Sequence, residues 1–163
     1  MHGSTVRVDV GMRRFPRNFS PHTQKGAAAI EFALVFVVFF AVFYGLVSYS
    51  LPLLLMQSFN NATAEAVRQS VAISPGTASY QTVVPAQARL ALSYQLAWIP
   101  PAFAFNVASD ADVVFDGKLL RVRIRYPKSK LTQVLPVLTL PGIGDVPKLP
   151  TYLTAEASLQ LAP

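Results

Sequence analysis

Cysteine is absent from the 163 residues, and the two histidines, His2 and His22, both stand before residue 26. The first absence excludes a disulfide framework, thiol catalysis and any Cys-ligated zinc site. The second leaves residues 27–163 without an imidazole, so neither a serine–histidine triad nor a histidine-held metal can be assembled there. A third absence says more. From Phe32 to Met56 there is no charged residue, and the next basic residue after that run is Arg68. About 25 residues without charge make roughly 37 Å of α-helix, enough to cross a bilayer with some tilt.

What stands at the mouth of that run is a single carboxylate, Glu31, in the string Lys25-Gly26-Ala27-Ala28-Ala29-Ile30-Glu31-Phe32. An unpaired carboxylate in hydrocarbon costs several kcal/mol, so such a residue is read first as functional. The plain alternative is an interfacial carboxylate solvated by headgroups. Residues 1–25 are polar and carry Pro16 and Pro21 without apolar periodicity, which predicts an unfolded segment. Arg7, Arg13, Arg14, Arg17 and Lys25 against Asp9 give it +4, so the remainder holds only +2 of the chain's +6. The basic balance therefore reflects topology, with the N-terminus on the cytoplasmic side, and no nucleic-acid partner is expected.

The local string resembles the processing site of type IV pilin-like proteins, and most closely the TadE-like minor pilins, or pseudopilins, of tight-adherence (Flp) pilus systems. Phe32 after the Glu, where major Flp pilins usually have Tyr, and the long C-terminal part both point to that branch. The resemblance implies cleavage by a prepilin peptidase between Gly26 and Ala27. Glu31 then becomes the fifth residue, and the new α-amino group of Ala27 on a neighbouring subunit becomes its countercharge. It further implies that pilin-like subunits and the pilus assembly platform are partners. The chain would be a single-pass inner-membrane protein with its C-terminal domain outside, either within the pilus or acting in its assembly. It would be a peptidase substrate rather than an enzyme, with no cofactor.

The remaining sequence predicts an α+β architecture in four parts. These are a leader over 1–26, a transmembrane helix over 27–56, a helical stalk over 57–74 and a small domain over 75–163. Pro52 predicts a kink, with Ser48 or Ser50 placed to satisfy the carbonyl it frees. Phe59, Ala62, Ala66, Gln69 and Ile73 form an apolar stripe on the stalk, which Ser74-Pro75-Gly76 ends. A second helix is expected from Pro85 to about Trp98, because Ala88, Leu92, Leu96 and Ile99 recur at helical spacing and Pro100-Pro101 stops it. Strands at 112–115 and 118–126 flank Asp116-Gly117, a hairpin signal. Leu120, Val122, Ile124 and Tyr126 face one side, and Leu119, Arg121, Arg123 and Arg125 the other. Residues 127–150, with five prolines, read as a long loop, and a last strand at 152–161 gives a roughly three-stranded antiparallel sheet.

Arg121, Arg123 and Arg125 could hold a polyanion or a partner's carboxylates, yet a solvated outer sheet face explains them as well. Asp110, Asp112 and Asp116 fail as a calcium loop, since Val114 and Phe115 occupy positions that need an oxygen ligand and glycine. Tyr94, Trp98, Phe103 and Phe105 read as core or as a surface against membrane or a neighbouring subunit. Two rivals remain. One is a non-polymerising membrane-anchored binding module. The other is a soluble domain beginning at Leu51, released at Ser48-Tyr49-Ser50 by a signal peptidase.

Overall fold

The computed structural model describes residues 3, 24–140, 142 and 144–161. The expected leader, apart from Gly3 and residues 24–26, lies outside the described residues. The chain divides into two units, residues 1–39 and 40–163.

In the first unit the described structure is the beginning of helix α1, which spans Gln24–Val71 in all. Side chains from Gly26 to Phe39 are exposed on every face. A helix that is apolar all round needs lipid or other helices about it rather than water. Helix α1 is long and apolar enough to cross a membrane, with a mean hydropathy of 2.5 in its most apolar stretch.

In the second unit α1 changes character along its length. Phe40 to Phe43 are still exposed. From Ser48 a buried stripe begins, with Ser48, Pro52, Leu55, Phe59, Ala62 and Ala66 at alternating steps of four and three. Such steps keep one face of a helix turned to a single partner. The stripe expected on the stalk thus starts well inside the uncharged run. Helix α1 continues through Pro52. The Ser48 and Ser50 hydroxyls donate to the carbonyls of Gly45 (3.1 Å) and Val47 (2.7 Å), one turn back. Neither therefore serves the carbonyl that Pro52 leaves free. After Val71 the N–H groups of Ala72 and Ile73 reach back three residues, to Gln69 and Ser70, tightening the last turn as helices commonly end.

Helix α2 spans Tyr80–Gln95. It starts five residues earlier than Pro85, which lies inside it, so that expectation is corrected. Ser79 in the left-handed region supplies the entry, and its carbonyl accepts from both Thr82 and Val83. The apolar spacing itself is sound, because Val84, Ala88, Ala91 and Leu92 are the buried residues. A 3₁₀ turn (Pro101–Phe103) and a single helical turn, α3 (Val107–Asp110), lead into the strands.

Strands β1 (Ala111–Phe115), β2 (Leu119–Pro127) and β5 (Tyr152–Gln160) form one antiparallel sheet in the order β1-β2-β5. β1 and β2 pair Phe115 with Leu120 and Ala111 with Ile124. The Asp116 N–H donates to the Leu119 carbonyl (3.3 Å), so the turn is centred on Gly117-Lys118, one residue beyond the expected pair. Gly117, at φ +96°, supplies the positive φ that the first turn position demands. Asp116 instead accepts from the Lys118 and Leu119 N–H groups (2.9 and 2.7 Å), and those bonds hold its carboxyl below the usual range.

Residues 127–150 are not one loop. They contain a short helix α4 (Lys128–Leu131) and a hairpin of β3 (Leu138–Leu140) with β4 (Gly144–Val146), on which Thr139 donates to Asp145 (2.8 Å). Proline is compatible with this because neither three-residue strand contains one.

The core lies between the sheet, α2 and the C-terminal half of α1. Leu120, Val122, Ile124 and Tyr126 of β2 are fully buried, with Leu153 and Ala155 of β5 beside them. They meet Leu55, Phe59, Ala62 and Ala66 of α1 and Val84, Ala88 and Leu92 of α2 in one cluster. The aromatic centre of the cluster is Phe59, whose ring lies 5.4 Å from Phe105 and 5.8 Å from Tyr126. The Tyr126 hydroxyl donates to the Phe103 carbonyl (2.7 Å). Burial, with the nearby Asp110 charge, pushes the Tyr126 phenol up to about 12.

Candidate functional site

Gly26 and Ala27 sit in the first turn of α1, and Glu31 lies one turn on from Ala27, on the same face. All of them, with Phe32, are exposed, and the Phe32 and Phe36 rings stack at 6.0 Å along the same helix. Glu31 makes no ion pair among the described residues. A Cβ built on Gly26 would meet nothing within 4 Å. Helical glycine costs roughly 1 kcal/mol relative to alanine. No contact within the described chain calls for a glycine at 26.

The arginine face belongs to the second unit and is built by strand alternation. β2 projects Arg121, Arg123 and Arg125 away from the core, and pairing with β5 sets them opposite Ser158, Glu156 and Thr154. Glu156 takes both nearer arginines, Arg123 at 2.7 Å and Arg121 at 3.3 Å. Arg125 instead lies over the Tyr152 ring, 4.7 Å from its centroid. An open depression of about 380 Å³ runs between Asp112, Arg123, Arg125 and Tyr152. The ladder is half exposed, and Glu156 offsets one of its three positive charges.

The three aspartates do not converge. Asp110 is buried, with both carboxylate oxygens 2.7 Å from the Lys130 ammonium and one accepting the Asn106 N–H. Asp116 is occupied by its turn. Among the described residues no cluster of metal-ligating side chains is present. Of the four aromatics singled out in sequence, Phe103 is buried and Phe105 packs on Phe59, while Tyr94 is 75% and Trp98 48% exposed.

Two tethering residues escaped sequence reasoning. Tyr44 donates to the Pro136 carbonyl, and the Tyr49 hydroxyl accepts the Lys148 N–H (3.0 Å), so the segment around β3 and β4 is tied to α1. The available signal was two phenols inside a run otherwise almost free of hydrogen-bonding side chains.

The residues that gather at the start of α1 are those of the resemblance, and comparison with protein families agrees. Residues 26–68 match the family of TadE-like proteins. The matched stretch opens on Gly26 and ends at Arg68, so it covers most of α1 and none of the sheet. It supports a component related to the tight-adherence pilus. No match was found among curated proteins or solved structures.

Proposed function

We propose that the chain is a minor pilin-like subunit for assembly of a tight-adherence pilus or related secretion apparatus, trimmed after Gly26 by a prepilin peptidase. The observation that carries this is the coincidence of the TadE-like match with an exposed Gly26 and Glu31 at the head of an all-round apolar helix. The chain inserts with its N-terminus in the cytoplasm and its domain outside. The peptidase contributes the catalysis; this chain is its substrate. Packing between apolar helices drives assembly, and Glu31 pairing with the Ala27 α-amino group of a neighbour sets the register. Either charge alone is costly in the bilayer, so a subunit displaced along the helix axis is penalised. The assembly platform and sister subunits are its partners, and the arginine face stays solvated.

Determining the N-terminal residue of the chain from its native membrane tests this reading. Ala27 is expected. Met1 would favour a plain anchored binding module, for which the open depression at Arg125 and Tyr152 is the supporting observation. Leu51 would favour a released soluble domain.

A further inference from the structure

Helix α1 is exposed on every face up to Phe43, and the domain's cover begins at Tyr44. The cover is a strap, residues 132–150, that carries the β3–β4 hairpin. It is fastened by the bond from Tyr44 to the Pro136 carbonyl and by the Lys148 N–H donating to Tyr49. Leu135 and Pro147 are buried, while Leu138 and Lys148 face outward. The backbone on either side of the hairpin is irregular, so its N–H and C=O groups are not all paired in a ladder or helix. Hydrocarbon does not tolerate such backbone.

The acyl region must therefore stop near Tyr44 to Tyr49. Counting back, Ala27 to Val47 is about 21 residues, roughly 31 Å of helix against a hydrocarbon thickness of about 30 Å. The two lengths agree. Tyrosines at that boundary suit the headgroup layer, and an outward lysine beside them can reach lipid phosphate. We propose that the strap and its β3–β4 hairpin form a collar seated on the lipid headgroup surface, limiting how far α1 enters the bilayer. The inference rests on the reading that α1 spans a membrane.

The test uses the full chain in vesicles of phosphatidylethanolamine and phosphatidylglycerol. Because the protein has no cysteine, single-cysteine variants Val38→Cys, Leu138→Cys and Thr77→Cys can each be labelled with one fluorophore. Quenching is then read from lipids nitroxide-labelled at the headgroup or at mid-chain. The Val38 label should lose most of its fluorescence to the mid-chain quencher. The Leu138 label should lose its fluorescence to the headgroup quencher but not to the mid-chain one. Thr77, past the end of α1 and more than about 30 Å along the axis from Tyr49, should respond to neither. Adding Tyr44→Phe and Tyr49→Phe should abolish headgroup quenching at Leu138 while leaving Val38 unchanged. If Val38 is quenched and Leu138 behaves like Thr77, the collar is wrong and the spanning helix stands. Unchanged quenching at Leu138 after both phenylalanine replacements would also overturn it, since the tethers would then hold nothing. A Val38 label that no lipid quenches sinks the spanning reading, and the collar with it.

Discussion

Replacing Tyr126 by Phe isolates one hydrogen bond at the centre of the core. The ring is fully buried against Phe59 and Phe105, and phenylalanine keeps those tilted ring contacts. What disappears is the hydroxyl 2.7 Å from the Phe103 carbonyl, which is left without that donor. An unsatisfied buried acceptor costs about 1–3 kcal/mol. The same phenol carries a pH signature. Its folded-state pKa of about 12 lies above the ordinary 10.0, so the folded state holds this proton more tightly. The associated stability is fully present below pH 10 and is lost as pH rises toward 12. Two units amount to about 2.7 kcal/mol as an upper order of magnitude. Urea unfolding of the full chain in detergent, followed by the single Trp98, would be run at pH 7 and at steps above pH 10. Tyr126→Phe should be less stable at pH 7 and should lack this part of the alkaline decline, so the two curves converge. A variant within about 0.5 kcal/mol of wild type at pH 7, with an unchanged alkaline slope, would refute the reasoning.

Glu31→Gln preserves shape but cannot neutralise a neighbour's amine; trimming should survive while subunit cross-linking fails, because an unpaired buried charge costs about 3–5 kcal/mol. Wild-type cross-linking would reduce Glu31 to an interfacial residue. Gly26→Val should leave untrimmed protein in the membrane when a prepilin peptidase is co-expressed, and since a Cβ there meets no other part of the described chain within 4 Å the loss would report peptidase fit rather than a clash. Arg121→Ala, Arg123→Ala and Arg125→Ala should each shift stability by no more than about 0.5 kcal/mol, as expected for half-exposed pairs. A defect in pilus assembly with the fold intact would instead make that face an interface.

The inward set of β2 was legible because strand alternation leaves no freedom: once Leu120 is inside, Val122, Ile124 and Tyr126 follow. The head of α1 was legible for a different reason, since Gly26 and Glu31 are conspicuous against an uncharged background. Boundaries decided by tertiary packing were not legible. Pro85 looks like a helix start, yet it lies inside α2 because Val84 is drawn into the core a residue earlier. The β3–β4 hairpin is three residues a strand, too short for any periodicity. The ion pair of Lys130 with the buried Asp110 joins residues twenty apart in sequence. Nothing in the spacing of charges shows which lysine finds which aspartate across the fold.

The stripe from Ser48 to Ala66 also sets an order of events in biogenesis. Those side chains are buried within the domain, yet they belong to the helix that is synthesised first. The sheet is completed only when β5 pairs along the whole of β2, after the long strap has been made. Until then Leu55 and Phe59 have no domain to bury them.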